Sequence, residues 1–209
     1  MTAIDRLLAA DSFDGETFVG LEAHAIDLSH KELVGCAFKN MKLSESRWMG
    51  AVLEDCTFEA CDLSGAVPRG MTTRDVRFSE CKLLGVDWTG LGAAPRVAFD
   101  TCDLRYAIFS KLDLSKTAFL RSNITEATFV EVDLAECDFD DSDLTGTTFT
   151  GCILRRADFT RARGLFVDPA KNRVKDARVS IESAMLLAAS FGMRVGGFQQ
   201  ADERPRRRK

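Results

Sequence analysis

Large apolar residues recur at every fifth position over most of this chain. The first series contains Phe38, Leu43, Trp48, Leu53, Phe58, Leu63, Phe78, Leu83 and Trp88, and Phe13, Phe18, Leu28 and Leu33 extend it toward the N-terminus. After a shift of one residue, the series continues at the same spacing from Phe99 to Phe159. A helix repeats at 3.6 residues and a strand at 2, so a period of five fits neither. A fixed period kept over so many copies predicts a solenoid.

The residue two positions before the apolar centre is small in many of the quintets. Every cysteine of the chain stands there: Cys36, Cys56, Cys61, Cys81, Cys102, Cys137 and Cys152. The residue directly before the centre is often Asp, so the consensus is small–Asp–(Leu/Phe)–polar–any. A small, weakly polar thiol suits a crowded inward position. We therefore expect the cysteines to pack in the core and not to bind a metal.

Quintets such as CDLSG, CDLRY, VDLAE, SDLTG and ADFTR resemble those of the pentapeptide-repeat family over roughly residues 11–165. The resemblance implies a right-handed quadrilateral β-helix with four quintets per coil, in which the centre and the small residue before it both point inward. We predict this all-β solenoid, with about eight coils and helical caps at both ends.

The residues themselves support a four-sided coil. The centres alternate between aromatic and aliphatic, so an aromatic residue returns every ten residues, on opposite faces of a square. One predicted column contains Phe18, Phe38, Phe58, Phe78, Phe99, Phe119, Phe139 and Phe159. The opposite column contains Trp48, Trp88, Phe109, Phe129 and Phe149, and Pro68 interrupts it. Stacked coils should repeat every ~4.8 Å, which gives a rod of about 38 Å.

The ends of a solenoid need covers because each exposes an apolar cross-section. We expect a cap helix within residues 1–12, the β-helix over 13–165, a capping and dimerisation segment over 166–195 and a disordered basic tail over 196–209. Ser180 is a good N-cap for a second helix. The segment from Phe166 onward resembles the C-terminal capping and dimerisation region of bacterial pentapeptide-repeat proteins. Its apolar surface is wider than capping requires, so we expect a homodimer through Met185, Leu186, Leu187 and Phe191.

The regular pattern has two irregular stretches. Pro68 and Thr73 occupy centre positions, and eleven residues separate Trp88 from Phe99 where ten would be regular. The second irregularity predicts a one-residue bulge or a short loop.

The net charge of −4 conceals an asymmetry. Residues 1–165 contain 27 acids and 18 bases, whereas residues 166–209 contain 5 acids and 10 bases. No apolar run approaches the ~20 residues of a membrane span. Seven cysteines without a CxxC pair or a signal peptide indicate reduced thiols and a cytoplasmic protein.

The sequence offers no catalytic, cofactor-binding or metal-binding constellation. DFDDSDLTG resembles a calcium loop, but Asp143 stands where glycine is required and Phe149 where glutamate is required. Ser79 and Lys82 fit S-x-x-K on a strand-like coil that lacks the partner motifs. His24 and His30 lie at outward positions and should be solvated. An enzyme is therefore not expected.

The acidic side chains are the candidate partner-binding residues. Stacking should place Asp113 over Asp133 and Asp138 over Asp158, without bases between them, and Asp143 lies beside them in sequence. Like charges stacked in this way cost stability. They could therefore form a functional acidic strip, or each Asp could accept a hydrogen bond from its own turn.

Basic residues should neutralise other acids across the coils. Lys116, Glu136 and Arg156 occupy equivalent positions in successive coils, and so do Arg121, Asp141 and Arg161. A duplex as long as the predicted rod carries about 22 charges, more than twice the net excess of 9 acids over residues 1–165. Any imitation of DNA would be partial.

The resemblance to quinolone-resistance members implies a non-enzymatic protein that binds DNA gyrase or another type II topoisomerase as a partial DNA mimic and gives drug or toxin resistance. The alternative is a general protein-interaction scaffold with no topoisomerase role. In either case we expect a protein partner, no direct contact with nucleic acid, no membrane contact and no cofactor.

Overall fold

The computed structural model describes residues 3–92 and 94–196, which wind into a parallel β-solenoid of about eight turns. Successive turns are offset by twenty residues, as when Phe38 pairs with Phe18 on one side and Phe58 on the other. Across the irregular stretch the offset is twenty-one, and Phe78 pairs with Phe99. The five-residue period and the four quintets per coil are confirmed.

The strands are short because the chain turns a corner every five residues. Helix α1 (Ala3–Ala9) precedes the coil and helix α2 (Ile181–Ser190) follows it. The strands are β1 (Ser12–Asp14), β2 (Thr17–Val19), β3 (Glu32–Val34), β4 (Ala37–Lys39), β5 (Val52–Glu54), β6 (Thr57–Glu59), β7 (Thr72–Arg74), β8 (Val76–Ser79), β9 (Val97–Asp100), β10 (Ile108–Ser110), β11 (Phe119–Leu120), β12 (Thr128–Val130), β13 (Thr148–Thr150), β14 (Asp158–Phe159) and β15 (Arg178–Val179).

The corners require residues with left-handed backbone conformation. Glu136 has φ of 60° and Asp141 has φ of 55°, although such values favour glycine. Gly164 has φ of 66°, and a Cβ there would lie 2.8 Å from the Cα of Thr145. A side chain at Gly164 would therefore clash with the backbone of the preceding coil.

Two columns of stacked rings fill the core, as predicted. Phe119 has no exposed surface, and its ring centroid lies 5.2 Å from that of Phe99 and 5.0 Å from that of Phe139. In the opposite column, the Phe109 and Phe129 rings are 4.7 Å apart. The two columns meet edge to face, for example at 6.1 Å between Phe109 and Phe119.

The cysteines line the inside of the coil. All seven are free and buried, and Cys81 Sγ donates to the Phe58 carbonyl at 3.4 Å. Burial raises the pKa of the Cys137 thiol to about 12. Over residues 3–92 and 94–196, no three His, Cys, Asp or Glu side chains converge as metal ligands.

The irregular stretches meet at one level of the rod. Pro68 leaves a cavity of about 20 Å³ that Trp48 and Trp88 help to line. The loop after Trp88 lies against the preceding coil, because Gly92 N donates to the Met71 carbonyl at 3.0 Å and Arg96 N to the Thr73 carbonyl at 3.2 Å. Its described part is therefore a short connection held on the coil, consistent with the predicted bulge or loop.

The coil continues beyond the boundary expected at residue 165. Arg173 bridges Ile153, and β15 pairs with β14 by matching Arg178 to Asp158. Gly164 and Pro169 stand at the centre positions of later quintets, so the apolar pattern of the sequence fades while the pairing of backbone strands continues.

The two helices cover the ends of the solenoid. Leu7 of α1 is fully buried, and Lys31 Nζ donates to the Ala10 carbonyl just after that helix at 2.5 Å. At the other end, Ser180 caps α2 by accepting from Ser183 N at 3.1 Å. No helix between residues 3 and 196 is long and apolar enough to cross a membrane. The expected basic tail lies outside the described residues, apart from Gly196.

Candidate partner-binding surfaces

The five candidate aspartates all belong to the turns of the coil. In each, Oδ1 accepts the backbone N–H two residues later, at 2.9–3.0 Å: Asp113 from Ser115, Asp133 from Ala135, Asp138 from Asp140, Asp143 from Thr145 and Asp158 from Thr160. This is the local role weighed against a functional strip. It engages one oxygen of each carboxylate and leaves the negative charge in place.

The structure distributes these aspartates over three faces of the rod. Asp113 and Asp133 are bridged on one face, which we call the Asp113 face. Asp138 and Asp158 are bridged on the next, and Asp143 lies on the third. Asp133, Asp138 and Asp143 therefore follow one another around a single coil and do not form one straight strip.

Two of the five candidate aspartates have a cation beside them. Asp158 pairs with Arg178, so the expectation that it is unpaired is wrong. The sequence pattern had faded before Arg178, which concealed the twenty-residue spacing to its partner. Burial opposes ionisation of Asp143, but hydrogen bonds from Thr145 lower the pKa of its carboxyl group, and Arg163, which stands in register with it, contributes a little more.

Three candidates keep an unpaired charge. Asp113, Asp133 and Asp138 have no ion-pair partner in the part of the chain that the structure describes. Asp113 and Asp138 are exposed, and Asp133 is half-buried. These residues are the part of the predicted strip that can attract a basic partner.

The predicted charge ladders form only in part. Arg156 pairs with Glu136 at 3.5 Å, and Arg161 pairs with Asp141 and, at 3.3 Å, with Asp140. Arg121 pairs with Asp100 and not with Asp141. No Lys116–Glu136 pair forms within 4.0 Å. Arginines of the following coil thus neutralise Glu136, Asp140 and Asp141 in part, and among the residues that the structure describes no base of the preceding coil pairs with Glu136 or Asp141.

The candidate dimerisation residues lie on different sides of α2. Leu187 and Phe191 line a cleft of about 390 Å³ between the helix and the last coil, together with Leu165 and Val174. Leu186 faces outward and is 48% exposed, while Met185 is half-buried. Helix α2 therefore covers the end of the coil loosely and leaves apolar surface both inside the cleft and outside it.

Sequence reasoning missed a three-residue cluster near the N-terminus. His24 Nδ1 lies 3.0 Å from Ser44 Oγ, and His24 Nε2 lies 3.6 Å from Glu45 Oε2. The twenty-residue separation of His24 and Ser44 could have revealed it. The His24 and Glu45 side chains are each 66% exposed, so solvent reaches the cluster, and it lacks the enclosed environment of a catalytic site.

Comparisons with known proteins agree with this architecture. A family model described as pentapeptide repeats matches eight copies over residues 32–67 and 122–161. A quinolone-resistance pentapeptide-repeat protein, QnrB96 of Scandinavium goeteborgense, is 27% identical over 113 residues, which cover 49% of this chain and 53% of the relative. The match spans about half the length of that relative.

Two solved structures are similar over most of their length. Full-length QnrB1, a plasmid-mediated fluoroquinolone-resistance protein, is 19% identical, with a TM-score of 0.54 over 87% of this chain and 90% of that chain. A trypsin-treated form of QnrB1 is 26% identical, with a TM-score of 0.49 over 88% and 89% of the two chains. The likeness to full-length QnrB1 supports the fold.

Proposed function

We propose that this chain, which matches the pentapeptide-repeat model over residues 32–67 and 122–161, binds a type II topoisomerase, DNA gyrase first, and protects it from quinolones or toxins as a partial DNA mimic. In this proposal the protein acts by binding and not as an enzyme, and it acts in the cytoplasm. The sequence match to a quinolone-resistance protein is the observation that carries it.

The structure supports a limited form of mimicry. Stacked rings and continuous backbone ladders make the coil stiff, so surface charges keep fixed positions along the rod. Asp113, Asp133 and Asp138 present unpaired carboxylates around adjacent faces. A basic DNA-binding surface would meet these charges within two adjacent coils and not along the entire length of the rod.

A drug-protection assay tests this function. Gyrase supercoils a plasmid with and without a quinolone, in the presence of the parent protein or of a variant carrying Asp113→Asn, Asp133→Asn and Asp138→Asn. Asn keeps the Oδ1 acceptor that each turn uses, so the coil should remain folded. We expect the parent to restore supercoiling and the variant to restore it less.

Matched aspartates elsewhere provide the control. Asp62 and Asp87 also accept the backbone N–H two residues later, in the N-terminal half of the rod, and neither has an ion-pair partner among the described residues. Asn at these two positions removes charges of the same kind and should leave protection unchanged. Equal protection by both variants and the parent would contradict mimicry through these carboxylates, while no protection by the parent would refute the topoisomerase proposal and favour the general scaffold.

We also propose that the chain forms a homodimer through α2. Leu186 and Phe191 are 48% and 56% exposed, and the cleft behind the helix is apolar. Leu186→Glu together with Phe191→Glu should convert the dimer to a monomer while the coil remains folded. Sedimentation in dilute solution measures this, and a parent protein that is already a monomer would refute the dimer.

A further inference from the structure

Three cations at the C-terminal end of the Asp113 face have no acidic partner. Arg155, Arg173 and Lys175 are exposed, and no carboxylate in residues 3–92 or 94–196 lies within 4.0 Å of their charged nitrogens. Three nearby cations do have partners: Arg156 pairs with Glu136, Lys171 with Asp168 and Arg178 with Asp158. We call Arg155, Arg173 and Lys175 the basic patch.

The fold forces these charges together. Ile153 bridges Arg173, and Arg156 N donates to the Lys175 carbonyl at 3.1 Å. This register places Arg155 directly opposite Lys175 on adjacent coils, which are about 4.8 Å apart. Like charges in that position destabilise a sheet, so the stability of the coil does not account for the basic patch.

Several cations elsewhere on the rod pair with an acid on the adjacent coil. Lys42 pairs with Glu22 at 2.5 Å, Arg47 with Asp27 at 2.8 Å and Arg74 with Glu54 at 2.9 Å, each across a separation of twenty residues. The basic patch departs from a pattern that the chain uses repeatedly.

The acidic residues near the basic patch do not neutralise its positive charge. Asp176 follows Lys175 at the corner, and Glu136 is engaged by Arg156. Asp133 lies two coils from Arg173, on the far side of the uncharged Ile153. Along one column the Asp113 face therefore changes from Asp113 and Asp133, through Ile153, to Arg173.

We propose that the basic patch binds the phosphates of duplex DNA directly. Two of its three members are arginines, whose planar guanidinium groups match phosphate oxygens. The rigid coil fixes their spacing, and the sequence ends in a further basic run, RPRRRK. This proposal replaces the expectation of no nucleic-acid contact and is independent of topoisomerase binding.

Fluorescence anisotropy with a short labelled DNA duplex, without any topoisomerase, tests the proposal. The parent is compared with a variant carrying Arg155→Gln, Arg173→Gln and Lys175→Gln. Each phosphate contact contributes about −0.9 to the slope of log affinity against log salt. Three contacts therefore correspond to an additional loss of about 40-fold in affinity between about 50 and about 200 mM salt. We expect the parent to show this additional loss and the variant to lack it.

Two further proteins separate the basic patch from net charge and from the tail. Lys42→Gln, Arg47→Gln and Arg74→Gln remove the same number and kinds of cation from paired positions, and this control should keep the parent's salt slope. A chain ending at Gln200 lacks the basic run and should still lose affinity when the basic patch is changed. A thermal melt of the patch variant, expected at or above the parent's midpoint, verifies folding.

Several results would overturn the proposal. The parent could fail to bind the duplex, or the patch variant could keep the parent's affinity and salt slope. Removal of residues 201–209 could abolish binding while the basic patch is intact, which would assign binding to the tail. Tighter binding to poly-glutamate than to the duplex would instead identify an acidic protein as the partner.

Discussion

The two buried tryptophans provide a sharp test of how this core is built. Trp48 Nε1 donates to Ser46 Oγ at 2.8 Å, and both residues are buried. Two coils later, Val86 occupies the position equivalent to Ser46, and Trp88 Nε1 has no hydrogen-bond partner. An unsatisfied buried donor costs about 1–3 kcal/mol. Trp88 should therefore lower the stability of its coil by that amount.

Val86→Ser should supply the missing acceptor. Loss of two buried methyl groups costs about 1.6 kcal/mol, at about 0.8 kcal/mol each. Satisfying the indole N–H returns about 1–3 kcal/mol, so the net change in the free energy of unfolding should be close to zero. Val132→Ser is the matched control, because Val132 is fully buried at the same position of a quintet whose centre is Leu134. It should cost about 1.6 kcal/mol, because a serine there serves no indole.

Urea unfolding followed by circular dichroism measures both variants. The difference between them, about 1–3 kcal/mol, isolates the hydrogen bond from the loss of apolar surface. Ser46→Ala should destabilise by a similar amount, because it removes the acceptor that Trp48 uses. If Val86→Ser is as destabilising as Val132→Ser, the indole gains no partner and the reasoning is wrong.

Two other predictions follow from the packing and the charges. Phe119→Ala should lower the free energy of unfolding by about 3–5 kcal/mol in thermal or urea unfolding, because Phe119 is fully buried between two stacked rings. Phe166→Ala is the control and should cost far less, because the Phe166 side chain is 48% exposed. Equal costs would mean that the core is wrongly placed. Hydrogen bonds from Ser29 and the Arg47 guanidinium lower the pKa of Asp27 to about 2. Because the folded-state pKa is below the unfolded value of about 3.9, this stabilisation is complete above about pH 4 and is lost as the pH falls through about 2. Asp27→Asn should therefore differ from the parent in unfolding midpoint above pH 4 and converge with it near pH 2, and a constant difference would contradict the assignment.

The apolar period could locate the core because every coil repeats the same two inward positions. It placed Phe119 and Cys81 correctly, since their neighbours are fixed by the backbone register. It could not choose between ion-pair partners: Arg121 reaches Asp100 and not Asp141, and long side chains at equivalent positions can turn either way along the rod.

The ends were harder to predict for a different reason. Gly164 and Pro169 lack the large apolar centre that marks a quintet, although the coil passes through them. The fading pattern concealed the Arg178–Asp158 pair, and it also concealed the approach of Arg155 to Lys175. For α2, apolar content alone could not show that Leu187 faces the cleft while Leu186 faces outward.

The central claim is that the protein binds gyrase as a partial mimic of DNA. Competition between the protein and duplex DNA for gyrase tests it most directly. The Arg155→Gln, Arg173→Gln, Lys175→Gln variant is labelled and bound to gyrase, and unlabelled linear duplex is then added, so that direct binding of DNA to the basic patch does not enter. Partial mimicry predicts that duplex displaces the protein and that its apparent dissociation constant rises in proportion to duplex concentration. When Asp113, Asp133 and Asp138 are also changed to Asn, binding to gyrase should be weaker from the start, and less duplex should be needed to displace the protein. Saturating duplex that leaves the protein bound, in a stable complex of all three components, would contradict the claim.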